Sequence, residues 1–200
     1  MADHYFSRQP ESKSEERQFQ AVLSGQTFRF KTDAGVFSKR GIDFGSRLLI
    51  ESVEIEPGSS VLDLGCGYGA VGIAVSKTVP GVKVTLADVN ERAVQLAKEN
   101  AAINQVDDRV EILVSDGFSR LQDKKFDHIL LNPPIRAGKS TVYRLFKEAS
   151  VALHPEGSLW IVIRKQQGAE SAKRELEQRF PDVDVVRKKK GYVIVRSRKD

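Results

Sequence analysis

The chain predicts an α/β domain built on a mostly parallel sheet and closed at its C-terminal end by an antiparallel hairpin. Three observations carry that prediction. From Val61 onward, apolar strand-like runs alternate with helix-like segments, the order that right-handed βαβ units produce when helices cover both faces of a sheet. A glycine turn, Asp63-Leu64-Gly65-Cys66-Gly67-Tyr68-Gly69, joins the first of these strands to the first helix. Near the end, Val183–Val186 and Tyr192–Val195 are separated only by Arg187-Lys188-Lys189-Lys190-Gly191. That link is too short to cross over a sheet, so the two strands should pair antiparallel.

The elements follow in order. Residues before about Gln20 are expected to fray. Thr27–Lys31 alternates polar and apolar residues as a short strand does. Gly35-Val36-Phe37-Ser38 then leads to Gly41-Ile42-Asp43-Phe44-Gly45-Ser46, with Leu48, Leu49, Ile50 and Val53 in a helix. Residues 1–56 therefore read as an N-terminal extension packed near the cleft, and residues 57–200 as the core of one domain spanning 1–200. In the core, Ser60–Leu64 is a strand and Ala70–Thr78 a helix. Pro80-Gly81 turns the chain into Val82–Ala87, a strand that ends at Asp88. Asn90 caps a helix with Ala93, Val94, Leu96, Ala97 and Ala101 on one face. Val110–Val114 ends at Ser115-Asp116-Gly117, and Phe126–Leu131 forms the next strand, with Asp127 read as a loop residue at its entry. Ser140 or Thr141 caps a helix to about Leu153, and Pro155-Glu156-Gly157 leads into the strand Ser158–Ile163. A helix over Ala169–Phe180 precedes the hairpin.

Composition bounds the function. A chain of 200 residues, 40% hydrophobic and 30% charged, has the size and balance of one globular domain. No run approaches the roughly 18 apolar residues of a membrane helix, and Met1–Glu16 is too polar for a signal peptide. One cysteine, Cys66, excludes a disulfide framework and Cys-x-x-Cys metal clusters. His4, His128 and His154 are scattered, so no metal is expected. These features fit a reducing cytoplasm. A net charge of +5 and a pI near 9.3 favour a polyanionic partner. Trp160, set among aliphatics, reads as core.

Gly67, Gly69 and Gly72 satisfy G-x-G-x-x-G, a dinucleotide fingerprint that is weak when it stands alone. Asp63, just before the first glycine, argues against a dinucleotide. A carboxylate facing the crevice repels a pyrophosphate and suits a cationic amino-acid group. In an open parallel sheet the ligand lies beyond the carboxyl ends of the strands, and four such ends carry Asp63, Asp88, Asp116 and Asn132. Asp88 lies where an acidic residue can accept hydrogen bonds from both ribose hydroxyls. The bland alternatives are a ligand-free tight turn and strands that end in polar residues because the chain turns there.

Asp-x-Gly-x-Gly-x-Gly after a first strand resembles motif I of the class I S-adenosylmethionine-dependent methyltransferases. The terminal hairpin likewise resembles their Rossmann-like seven-stranded fold, of strand order 3-2-1-4-5-7-6. The resemblance implies S-adenosylmethionine as cofactor, held by Asp63, Gly65, Cys66, Gly67, Gly69, Asp88, Val89, Asp116, Gly117 and Asn132. Asn132-Pro133-Pro134-Ile135 resembles the Asn/Asp-Pro-Pro-aromatic signature of enzymes that methylate exocyclic or amide nitrogens. Successive prolines stiffen the loop. An Asn132 oxygen and a Pro133 carbonyl that each accept one N–H would draw the nitrogen toward tetrahedral geometry, with preorganised dipoles meeting the charge that develops on it.

Gly35-Val36-Phe37-Ser38, Gly41-x-Asp43-x-Gly45-Ser46, the glycine motif, Asp88, Asp116 and Asn132-Pro133-Pro134 together resemble the RsmC-like small-subunit ribosomal RNA guanine-N2 methyltransferases. This implies methyl transfer to the N2 amine of a guanine in ribosomal RNA, catalysis at Asn132, Pro133 and Pro134, and substrate contacts from Phe37, Ile135, Arg136 and Lys139. Members of that family usually carry a second, degenerate copy of the domain, for which 200 residues leave no room, and the aromatic after Pro-Pro is here Ile135. Lys39, Arg40, Arg136, Lys139 and Arg144 are expected near the cleft, and Arg187–Lys190 with Arg196, Arg198 and Lys199 as a second cluster at the hairpin. Competing readings are an N-methyltransferase of a protein amide or small molecule, a non-catalytic RNA-binding or assembly factor, and, last, a dinucleotide oxidoreductase. No sequence signal bears on the oligomeric state.

Overall fold

A computed structural model describes residue 8, residues 13–38 and residues 40–200. His4 and Lys39, named above, lie outside the described residues. The core is a seven-stranded sheet built from β3 (Ser60–Leu64), β4 (Lys83–Asp88), β5 (Val110–Val114), β6 (Phe126–Leu131), β7 (Leu153–Arg164), β8 (Asp182–Lys189) and β9 (Tyr192–Arg198). Their order is β5-β4-β3-β6-β7-β9-β8, which in the numbering of the core strands is the expected 3-2-1-4-5-7-6. Pairing is parallel from β5 to β7, and β9 runs antiparallel to both of its neighbours.

Alternation along the strands divides two cores. Val61, Val84, Leu86, Leu130, Trp160 and Val162 face α1 (Phe44–Ile50), α2 (Ala70–Thr78) and α3 (Glu91–Ile103). Leu62, Leu64, Ile129, Leu131, Leu159 and Ile161 face α4 (Lys139–Ala152) and α5 (Ala169–Glu177). The central strands are therefore apolar on both faces, as a covered parallel sheet requires.

Several boundaries depart from expectation. Residues 17–20 are not frayed: β1 (Arg17–Leu23) pairs antiparallel with β2 (Gln26–Thr32) through Ser24-Gly25, both at positive φ (47° and 76°). That is the geometry a two-residue hairpin turn favours. The terminal hairpin turns in the same way at Lys190-Gly191 (φ 47° and 77°), so Arg187, Lys188 and Lys189 are strand residues rather than loop. An edge strand tolerates such lysines because its outer side is solvated. Helix α4 starts at Lys139 with Gly138 as its cap, and Thr141 Oγ1 donates back to the Ala137 carbonyl, so neither Ser140 nor Thr141 caps it. Asp127 lies within β6, where Oδ2 accepts from the Ser60 N–H (2.8 Å) and Oγ–H (2.7 Å). Strand β7 begins already at Leu153, beside Phe126.

Trp160 is buried, as expected. Its indole N–H donates to His128 Nδ1 (3.4 Å), while His128 Nε2 meets Glu56 Oε2 at 2.8 Å. This relay runs from mid-strand in β7 through β6 to Glu56, just ahead of β3.

Two asparagines dock the N-terminal hairpin. The buried Asn100 accepts from Lys31 N (2.7 Å) through Oδ1, and its Nδ2 donates to Lys31 O (2.9 Å) and Tyr68 O (2.8 Å). One helical turn on, Asn104 repeats the pattern on Arg29, accepting from its N (3.2 Å) and donating to its O (2.7 Å). Four residues of helix rise about 6 Å and two residues of strand about 6.6 Å, so side chains at that helical spacing meet alternate backbone units of β2. Asn100→Ala leaves three backbone groups without this partner. We expect a loss of about 2–3 kcal/mol in urea unfolding, together with protease cleavage within residues 17–32 at denaturant concentrations where the wild-type protein resists.

Candidate functional site

The glycine turn depends on two carboxylates. Asp63, at the end of β3, is buried, and its Oδ2 accepts from the Gly72 N–H of α2 (2.8 Å). Asp88, at the end of β4, accepts from Gly67 N (2.8 Å) with Oδ2 and from Asn90 N (2.9 Å) with Oδ1. Gly67 adopts φ +55° with open space where a Cβ would stand, so its backbone is accessible to a ligand. Gly72 serves packing: a Cβ there would lie 2.7 Å from Leu86 Cγ and 3.1 Å from Asp63 Cβ, which is what lets α2 press onto the sheet.

These groups open into a cavity of about 1030 Å³ at the carboxyl ends of the strands. Its lining brings together fourteen of the sixteen residues assigned from the sequence to cofactor, catalysis or substrate: Phe37, Asp63, Gly65, Cys66, Gly67, Asp88, Val89, Asp116, Gly117, Asn132, Pro133, Pro134, Ile135 and Arg136. Gly69 and Lys139 are not among the lining residues. Gly69 caps α2 at φ +96° and faces inward, where a Cβ would meet Ile73 Cδ1 at 2.8 Å. Lys139 is exposed at the start of α4, past the turn that Gly138 makes.

Asn132 follows β6, and the two prolines shape what comes next. Pro134 (φ −74°, ψ 76°) is the centre of an inverse γ-turn, with Ile135 N donating to Pro133 O at 2.9 Å. The Pro133 carbonyl therefore already accepts one hydrogen bond and retains a second lone pair. Asn132 Nδ2 donates to Ser46 Oγ (3.2 Å) and lies 3.5 Å from Asp43 Oδ2. Asp116 is exposed and ion-paired with Arg144 (2.7 Å), which also holds Glu148 (3.1 Å). Arg144 is thus charge-balanced on one side of the cavity, whereas exposed Arg40 and Arg136 line it without an ion pair among the described residues.

The basic hairpin does not act as one cluster. Tyr192 pairs with Arg164 at the cleft end of the sheet and Arg198 with Ser158 at the other, so the strand length separates the charges. Arg187 pairs with Glu51 (3.7 Å) and Arg196 with Asp184 (3.0 Å). Lys190 lies over the Phe44 ring near the cleft. Asp43, Ser46, Arg164, Gln167 and Tyr192 line the cavity without having been assigned to it from the sequence. Asp43 and Ser46 could have been read from their capping spacing, whereas Tyr192 reaches the cleft only through the hairpin's fold. Among the described residues no group of His, Cys, Asp or Glu could hold a metal ion, and no helix is long and apolar enough to cross a membrane.

Burial governs the electrostatics. It pushes the Asp63 carboxyl up to about 7 against the opposing hydrogen bond from Gly72, with the charge of Asp88 adding to the rise. Burial also raises Asp88 and the Cys66 thiol, which leaves Cys66 a poor nucleophile.

Comparison with known proteins places this geometry. The family model described as the methyltransferase small domain matches residues 27–196. An uncharacterized protein of Bacillus subtilis, YbxB, is 46% identical over 201 residues, covering 100% of both chains. The ribosomal RNA large subunit methyltransferase G of Alcanivorax borkumensis is 33% identical over 84% of this chain and 44% of its own length. Among solved structures, a T. thermophilus 16S rRNA N2 guanine methyltransferase in complex with AdoMet and guanosine superposes with a TM-score of 0.84 at 26% identity, covering 94% of this chain and 52% of that one. The chain thus spans about half the length of these two ribosomal RNA methyltransferases.

The raised carboxyl of Asp63 has a measurable cost. The folded protein binds this proton more tightly than the unfolded chain, so the associated stability is present at low pH and is lost as pH rises through about 7. Asp63→Asn keeps an acceptor for Gly72 without the buried charge. We expect its stability advantage over the wild-type protein to grow by on the order of 1 kcal/mol per pH unit between about pH 5 and 7. Parallel thermal melts across that range would overturn this assignment if the two curves ran with equal slope.

Proposed function

The chain belongs to the methyltransferase small domain family, and on that premise we propose that it methylates ribosomal RNA at an exocyclic amine, the N2 of a guanine. One observation carries the reading: Asp63, the glycine turn, Asp88 and Asn132-Pro133-Pro134 converge on one cavity. One domain then serves both ligand and substrate, in the cytoplasm. The second oxygen of Asp63 accepts no hydrogen bond among the described residues and suits an ammonium. Asp88 retains lone pairs on both oxygens for ribose hydroxyls. These features fit S-adenosylmethionine, the cofactor of this family, which supplies a methyl group activated on a sulfonium.

The protein's own part is acceptance and orientation. Asn132 Oδ1 and the remaining lone pair of Pro133 O accept hydrogen bonds from the two amine N–H groups, so that the nitrogen lone pair is free to point at the methyl. Positive charge that develops on nitrogen is met by two fixed dipoles, and the inverse γ-turn at Pro134 keeps one of them in place. No strong general base is required until the methylated amine sheds its proton to water. Phe37, 38% exposed at the cavity lip, offers a ring for stacking a base where Ile135 does not. Arg40 and Arg136 suit the phosphates. A large-subunit target is a second reading, supported by the 33% identity of a large-subunit relative over 84% of this chain, against 26% for the small-subunit structure.

Labelled S-adenosylmethionine incubated with unmethylated small-subunit RNA, large-subunit RNA, transfer RNA and protein decides among these. Label is expected in N2-methylguanine of the small-subunit RNA. Incorporation into protein alone, or into none of these substrates, would refute the reading. In the same assay Asn132→Ala is expected to lower single-turnover methylation by about 10²–10³ while binding S-adenosylhomocysteine as the wild-type protein does.

RNA affinity should fall steeply as salt rises from about 50 to about 200 mM, because phosphate contacts release counterions. The double variant Arg40→Ala/Arg136→Ala is expected to reduce the slope of log affinity against log salt by about 1–2. An unchanged slope in filter-binding titrations would move the RNA path away from this lip.

A further inference from the structure

The N-terminal extension touches the Asn-Pro-Pro loop where Asp43 and Ser46 meet Asn132. Asn132 Nδ2 lies 3.2 Å from Ser46 Oγ and 3.5 Å from Asp43 Oδ2. All three residues line the cavity. Asp43 is itself held: its Oδ2 accepts from Ser46 N (3.0 Å), and its carbonyl accepts from Arg47 N (3.1 Å). Helix α1 is packed closely at this position. Gly45 sits so close to the terminal hairpin that a Cβ would stand 2.9 Å from Tyr192 Cε1.

A carboxamide has two ends of nearly equal size and opposite hydrogen-bonding character. An ionised carboxylate only accepts, so the end of Asn132 that faces Asp43 has to be the NH2 group. Its oxygen is then the end left for the cavity. We propose that Asp43 and Ser46 are positioning residues that fix the polarity of the Asn132 side chain, presenting an acceptor rather than a donor to the amine that is methylated. This rests on the methyl-transfer reading above. With the amide reversed, an NH2 group would face the N–H donors of the substrate, and the first of the two acceptors would be lost. Asp43 also places negative charge behind the amide, which polarises its oxygen into a stronger acceptor.

The test is a cycle of variants in the full chain: Asp43→Asn, Asn132→Asp, and the two combined. Asparagine caps helices as well as aspartate does, so Asp43→Asn should keep the melting temperature, the affinity for S-adenosylhomocysteine and the KM for RNA. Its kcat should fall by about tenfold or more, because the amide at position 132 is no longer held one way round. Asn132→Asp alone sets two carboxylates against each other and should be less active and less stable than Asp43→Asn. Adding Asp43→Asn to it restores an amide–carboxylate pair in the opposite sense, with the acceptor still facing the cavity. The double variant should regain at least tenfold in kcat and melt above Asn132→Asp. Wild-type kcat in Asp43→Asn, a change confined to KM, or melting shifts that simply add would each overturn the positioning role. A wild-type protein that methylates no RNA would instead refute the reading on which the role rests, and the melting cycle would still report whether Asp43 and Asn132 are coupled.

Discussion

A helix and a strand repeat at nearly the same distance when every fourth residue of one is set against every second residue of the other, and much of this molecule hangs on that match. Asn100 and Asn104 use it to clasp Lys31 and Arg29 of β2. Once β2 is fixed, so is the segment that leaves it. Asp33 is buried just past the strand, where it accepts from Ser14 Oγ (2.8 Å) and Ala34 N (2.6 Å). Asn90 Nδ2 then holds the Gly35 carbonyl (2.9 Å) and Arg92 that of Ala34 (2.7 Å). Asn90 is also the cap of α3 and the neighbour of Asp88. The loop that carries Phe37 and Arg40 is thereby referenced to the same strand end that ties down the glycine turn.

Each wall of the cavity therefore comes from a different part of the chain and is set against a common frame. The floor is the carboxyl end of the sheet, where burial keeps Asp63 and Asp88 reluctant to ionise. The far side is the Asn-Pro-Pro loop, stiffened by the turn at Pro134. The near side is the N-terminal extension, which reaches across α3 and returns through α1 to Asn132. Polar groups set on rigid elements, with loops held by side-chain hydrogen bonds rather than by their own regularity, suit the positional catalysis proposed above.

Much of this was legible in the sequence, and the reason is punctuation. Strand β3, helix α2 and strands β5 and β6 have the limits read from their residues because a polar residue or a glycine stands where each parallel strand meets the crevice. The cavity lining was legible for the same reason. What escaped has physical causes too. Strand β1 was hidden because it follows a polar, charged segment and a hairpin packed on one side leaves alternate residues to solvent. Arg187–Lys189 looked like loop because lysines on an edge strand carry no hydrophobic signal. Gly69 belonged to the same motif as its neighbours, yet its Cα points into the packing between α2 and α3. Asp43 was visible as part of a motif, but its partner is 89 residues away in sequence, and only the folded chain brings them together.

The relay of Trp160, His128 and Glu56 gives the molecule a built-in optical probe. The chain has one tryptophan, buried within the sheet and hydrogen-bonded to an imidazole. Its emission therefore reports the integrity of β6, β7 and β9. Loss of the sheet would shift that fluorescence to the red as the indole meets water.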